Sequence, residues 1–159
     1  MKSTSQIPAP VVADADALHV AIVVSEYHES ITGSLTQGAQ ETLVEMGISD
    51  DHVTVINVPG AFELPVVARR AAETDRFDAI VCLGCVIRGE TPHFDYIASS
   101  VAAGLTTASQ ATGVPISFGV LTTNSYDEAA ARAGAGSGYK GREAAMAAVR
   151  VAQTIRDLG

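Results

Sequence analysis

Tryptophan is absent from this 159-residue chain, and aromatic residues make up only 5% of it. A core with so few rings must be built from aliphatic side chains. Any stacking site must draw on four phenylalanines and four tyrosines. Cysteine is equally scarce: Cys82 and Cys85 are the only two, which excludes a disulfide scaffold. Their C-x-x-C spacing invites a redox reading, but that motif needs a helix N-terminus to stabilise the thiolate. Here the pair lies inside AIVCLGCVI, a strand pattern, and reads as two reduced, buried thiols. Basic residues are few, 10 against 18 acidic ones, for a net charge of −8. That excludes a nucleic-acid groove, which needs a clustered basic face. A small anionic substrate remains open, because one arginine and one helix start can hold a phosphate. No apolar run approaches the roughly 18 residues of a membrane span. Pro8, Pro10, Asp14 and Asp16 interrupt any secretory h-region, so the expected setting is the cytoplasm, with no membrane partner.

Apolar residues are plentiful, at 47%. A chain of this length forms one domain that buries roughly 70% of its unfolded surface without a metal or disulfide staple. Residues 1–16, rich in Ala, Pro and Ser, read as a mobile tail, and 17–159 as the single domain. Apolar, β-branched runs predict strands over 18–25, 52–58, 78–87 and 115–121. Helical patterns fill 31–46, 61–74, 95–112, 126–133 and 140–158, with Gly47 and Gly113 as stops. This alternation is the pattern of a four-stranded parallel sheet with helices on both faces. Several helices are Ala-rich and poor in charge (DYIASSVAAGLTTASQ and EAAMAAVRVAQ), which points to packing between subunits.

In a parallel sheet, three strand ends converge on one edge, where open α/β sheets carry their ligand chemistry. They bring Tyr27, the Phe62-Glu63 pair, and the turn from Gly89 to His93. Tyr27 can stack on a planar ring. Glu63 by itself fits a first-turn helix acid, and Phe62 a core residue. His93 sits where a histidine can act as acid and base. Arg132 offers a planar fork of donors to a phosphate. Gly136-Ser-Gly138-Tyr-Lys-Gly141 matches G-x-G-x-x-G in letters only. It follows a helix rather than a strand, and so reads as an inter-helix turn from which Lys140 reaches toward a ligand.

Taken together, VPGAFELP (58–65), LGCVIRGETPHFDY (83–96), PISFGVLTTNSYDEAAARAG (115–134) and YKGREAA (139–145) closely resemble the lumazine synthase family of riboflavin biosynthesis. The resemblance implies a flavodoxin-like three-layer α/β/α sandwich and a homo-oligomer, a pentamer or a pentamer-based shell. It also implies a transferase that joins 5-amino-6-(D-ribitylamino)uracil to 3,4-dihydroxy-2-butanone 4-phosphate without cofactor or metal, and riboflavin synthase as a partner. By that resemblance Tyr27 stacks on the pyrimidine, where the family usually carries Phe or Trp. Ala61, Phe62 and Glu63 line the same substrate. Cys85, Val86 and Ile87 read the uracil edge through their backbone. Glu90 and Thr91 hold the phosphate through N–H groups, and Arg132 grips it. His93 is the acid/base, Phe118 covers the heterocycle from the adjacent subunit, and Lys140 lies nearby. The family's common G-N-K-G appears here as Gly138-Tyr-Lys-Gly141, and Glu90 places an acid where phosphate must sit. A non-catalytic flavin- or lumazine-binding protein of the same fold would keep Tyr27 and Phe62 but would not need His93 together with Arg132.

Overall fold

The computed structural model of the chain describes residues 9–134 and 139–159. Four strands, β1 (Val20–Ser25), β2 (Val53–Val58), β3 (Ala79–Ile87) and β4 (Ile116–Thr123), form one sheet. Five helices surround it: α1 (Glu29–Glu45), α2 (Leu64–Glu73), α3 (His93–Thr112), α4 (Tyr126–Ala133) and α5 (Tyr139–Leu158). The order across the sheet is β2-β1-β3-β4, and every pairing is parallel. This is the expected flavodoxin-like three-layer architecture, with element boundaries within three residues of the sequence reading, the largest difference being α2, whose first three expected residues form a 3-10 turn.

Handedness assigns the layers. From β1 the chain moves outward to β2, then back across the sheet to β3 and on to β4. Right-handed crossovers put helices from opposite directions of travel on opposite faces. Hence α1 and α5 cover one face, and α2 and α3 the other. The central strands show the two-residue alternation this demands. Val20, Ile22 and Val24 join the core under α1 and α5, whereas Ala21 and Val23 join the core under α2 and α3. Every residue of β1 is buried, and each fully buried Val or Ile there stabilises by about 1.5–3 kcal/mol.

Helix ends follow local chemistry. Ser125 caps α4, its Oγ accepting the Glu128 N–H at 3.1 Å. Pro65 is tolerated in the first turn of α2. Gly113 ends α3 at φ 73°, a left-handed position that favours glycine.

Residues 9–16, the described part of the expected mobile tail, pack against the domain. Ala9, Val12 and Ala15 are buried in the core beside Met46. The Val12 N–H donates to the Met46 carbonyl at 3.0 Å, and Arg156 Nη2 donates to the Ala13 carbonyl at 2.6 Å. Glu45 Oε2 accepts both the Ala9 N–H at 3.2 Å and Arg142 Nη1 at 3.0 Å. The Ala9 N–H chiefly, with Arg142 beside it, holds the Glu45 carboxyl below its ordinary pKa against the opposing effect of burial. Small apolar residues three apart fill the seam beyond α1 with no continuous apolar run to announce it.

The α1–α5 layer is set by contact with a glycine. A Cβ at Gly141 would fall on the Leu35 carbonyl, a backbone group that cannot swing aside. Gly33, also in α1, has nothing within 4 Å of a built Cβ. We therefore expect Gly141→Ala to destabilise by at least the roughly 1–3 kcal/mol of an overpacked core. Gly33→Ala should stabilise by about 0.5–1 kcal/mol. Thermal midpoints at a fixed protomer concentration check both signs, since association would otherwise shift them.

Candidate active site

Because the strands are parallel, their C-terminal ends lie along one edge, and the direction of winding reverses between β1 and β3. Ligands of open α/β sheets bind at such a switch point. A cavity of about 680 Å³ opens there, within the 300–1,000 Å³ range typical of small-molecule sites. After β1, Tyr27 and His28 face it; after β2, Gly60 and the short 3-10 turn Ala61–Glu63 do so. Cys85, Val86 and Ile87 at the end of β3 form the floor with His93 and Ile97 of α3. Tyr27 and Phe62 are exposed, at 68% and 59%, so two rings stand open to solvent at the cavity.

Local sequence explains the arrangement. Pro59-Gly60 ends β2, and the tight turn that follows leaves Ala61 buried and Phe62 outward. Gly84 keeps β3 open to this corner: a Cβ there would lie 3.1 Å from Ser25 Oγ and 3.2 Å from Leu64 Cδ1. Pro92 stands before the first residue of α3, so His93 opens the helix instead of lying in the preceding turn. Arg88 anchors that turn. Its Nε donates to Asn124 Oδ1 at 2.9 Å, its guanidinium lies 4.5 Å over the Phe94 ring, and Asp95 is 3.6 Å from Nη2. Arg88 thereby ties the start of residues 88–92 to the end of β4.

Other residues singled out in the sequence lie off this cavity. Glu90 and Thr91 are exposed on the turn just before His93. Phe118 pairs in register with Cys82, partway down the sheet from the strand ends, and is 38% exposed. Arg132 is exposed near the end of α4, where its Nη1 donates to the Glu128 carbonyl at 3.1 Å. Lys140, at the start of α5, pairs with Glu143 at 3.8 Å. Residues Gly136 to Gly138 of the glycine-rich turn lie outside the described residues. His28, Gly60 and Ile97 line the cavity but carried no role in the sequence reading. The signal for His28 was its position two residues after Ile22-Val23-Val24-Ser25-Glu26, at a strand-to-helix junction.

The two cysteines carry no redox pair. Three residues apart on one strand, they lie about 10 Å apart along the chain, beyond the reach of a disulfide. They also belong to cores on opposite faces of the sheet. Burial pushes the Cys82 thiol far above its ordinary range and Cys85 up to about 11.

Fold and cavity together define a flavodoxin-like α/β protein with a cavity at its switch point, lined by two imidazoles, a carboxylate and two exposed rings. The family model of 6,7-dimethyl-8-ribityllumazine synthase matches residues 17–156. The chain belongs to that family, whose members are transferase enzymes.

The raised Cys85 thiol yields a direct check. At pH 8 its thiolate fraction should be about 100-fold below that of a free cysteine, so iodoacetamide should label the native protein slowly and the urea-unfolded chain fast. Labelling of the native protein should accelerate as pH rises toward 11. Rapid modification at pH 8 would contradict this.

Proposed function

We propose that the protein condenses 5-amino-6-(D-ribitylamino)uracil with 3,4-dihydroxy-2-butanone 4-phosphate to give 6,7-dimethyl-8-ribityllumazine, phosphate and two waters. The observation that carries this reading is the cavity itself. Tyr27, Ala61, Phe62, Glu63, Cys85 to Ile87 and His93, drawn from three strand ends, face one space of suitable size.

The chemistry needs positioning and proton transfer. The 5-amine adds to the ketone carbon, and water leaves to form an imine. Loss of a carbon-bound proton expels phosphate by breaking its C–O bond, and the resulting enol returns to a ketone. The ribitylamino nitrogen attacks that carbonyl, and a second water leaves as the ring closes. Holding both reactants supplies much of the rate, because docking replaces a bimolecular encounter. In this reading Tyr27 and Phe62 flank the pyrimidine. Backbone groups of Cys85, Val86 and Ile87 pair with the uracil edge, and Glu63 accepts from the ribityl hydroxyls. His93 moves the protons. The N–H groups of Glu90 and Thr91, on the turn just before α3, receive the phosphate while the Glu90 carboxylate points to solvent.

Phe118 and Arg132 do not face the cavity of their own protomer. We therefore assign both to the site of a neighbouring subunit, where Phe118 covers the heterocycle and Arg132 stabilises the departing phosphate. This agrees with the uncharged stretch of α3 from Tyr96 to Thr112, which leaves Ser99, Ser100, Ala102 and Ala103 exposed. A pentamer, alone or within a larger shell, is the assembly this reading requires, with cytoplasmic riboflavin biosynthesis as the setting. A carrier that only binds flavin or lumazine would use the same rings but gives His93 and Arg132 no task.

Mixing the two substrates with the protein and following the lumazine chromophore tests the reaction; no product would sink it. His93→Ala should slow turnover by about 10²–10⁴-fold with the oligomer intact by sedimentation. Arg132→Ala should raise the Michaelis constant for the butanone phosphate about 10–100-fold, the worth of a charge-assisted phosphate contact. An unchanged constant would remove Arg132 from the phosphate site.

A further inference from the structure

His28 stands where a helix start favours Ser, Thr, Asp or Asn, immediately before α1. Its backbone is left-handed, at φ 62° and ψ 55°. That conformation is uncommon for any residue with a side chain, and it is better tolerated by His, Asn and Asp than by others. Yet the side chain caps no helix N–H. Only the carbonyl does so, accepting from Ile31 at 2.9 Å and Thr32 at 3.0 Å. His28 lines the cavity. It meets Tyr27 edge-on at 4.6 Å between centroids, and Tyr126 lies 6.4 Å away. Tyr126 is itself hydrogen-bonded to Ser30.

Burial lowers the pKa of His28 below its ordinary 6.5. At neutral pH the ring is therefore uncharged and offers one N–H donor and one bare nitrogen acceptor. Among the described residues, no protein hydrogen bond takes up either nitrogen. Backbone strain, a cap position left uncapped and a partly buried ring beside a cavity are separate observations, and they point the same way. Strain of this kind concentrates where a side chain serves a ligand.

The remaining wall limits what that ligand group can be. Ala61, Phe62, Val86, Ile87 and Ile97 give apolar surface. Glu63 adds a carboxylate, which when ionised only accepts hydrogen bonds. A hydroxylated chain needs both donors and acceptors along its length, and an uncharged imidazole supplies one of each. We propose that His28 is a specificity-determining residue that hydrogen-bonds the polyhydroxylated side chain of the pyrimidine substrate, complementing Glu63. The proposal rests on the synthase reading above and names a contact that reading leaves unassigned.

The test compares two ligands: ribitylaminouracil, and the same pyrimidine carrying an ethylamino group without hydroxyls. His28→Gly removes the ring and relieves the left-handed backbone, so folding is not put at risk. His28→Asn keeps a donor, an acceptor and tolerance of the conformation. We expect His28→Gly to bind the hydroxylated ligand up to about tenfold more weakly than wild type, as loss of one hydrogen bond implies. Binding of the ethyl analogue should change by no more than about twofold, and His28→Asn should stay within about threefold of wild type for both. The Michaelis constant for the butanone phosphate should not move. Equal weakening for both ligands would reduce His28 to a wall of the cavity and overturn the proposal, as would unaltered binding of both. If wild type makes product while His28→Gly binds normally, only the His28 contact falls. If wild type neither makes product nor binds the pyrimidine, the synthase reading falls and takes the contact with it.

Discussion

One constraint organises the molecule: all four strands run the same way, so every strand finishes at the same edge. Parallel pairing forbids hairpins and forces a crossover after each strand. Since β1 and β3 lie at the centre and their chains depart in opposite directions, no connection covers the ground between their ends. The cavity occupies that gap. Its walls are the residues that leave each strand, and the fully buried β1 and the largely buried β3 hold those departure points rigidly. The site depends on the sheet far more than on any contact within the site.

The same constraint sorts the chemistry. Backbone groups at the end of β3 are fixed and lie beside the first turn of α3, so in the proposed account recognition of a flat polar edge and delivery of a proton come from one stretch of chain. The exposed rings of Tyr27 and Phe62 come from the other two strand ends and bracket that stretch. Residues lower on the sheet or on the opposite layer cannot reach it. Phe118 sits level with Cys82, and Lys140 starts a helix on the far face. In the proposed account those distances are closed by a second subunit, for which the weakly charged helices provide the surface.

Much of this was legible in the sequence, for physical reasons. Buried parallel strands need continuous β-branched runs, and residues such as Val20 to Val24 and Ala79 to Leu83 leave little alternative. Glycines mark helix ends because few other residues take the left-handed position at Gly113. Convergence of Tyr27, Phe62-Glu63 and His93 followed from parallel topology alone. Other features were hidden. Ala9, Val12 and Ala15 pack by being small, which leaves no hydrophobic run to detect. His28 reads as a polar residue at a helix start, and nothing in a string of letters reveals that its backbone is left-handed and that it lines the cavity. Arg88 resembles an ordinary surface charge until Asn124 and Phe94 are brought beside it. Whether Phe118 and Arg132 belong to a site is a matter of subunit geometry that one chain does not encode locally.

The account stands or falls on a site shared between chains, with His93 from one subunit and Arg132 from the next. Co-assembling equal amounts of His93→Ala and Arg132→Ala subunits, and assaying lumazine formation at low butanone phosphate, tests it most directly. If the two residues come from different subunits, random mixing restores about a quarter of the sites. Activity should then rise toward that fraction of wild type, well above either variant alone. If each site draws both residues from a single chain, no mixed assembly contains an intact site, and activity that stays at the level of the separate variants would contradict the account.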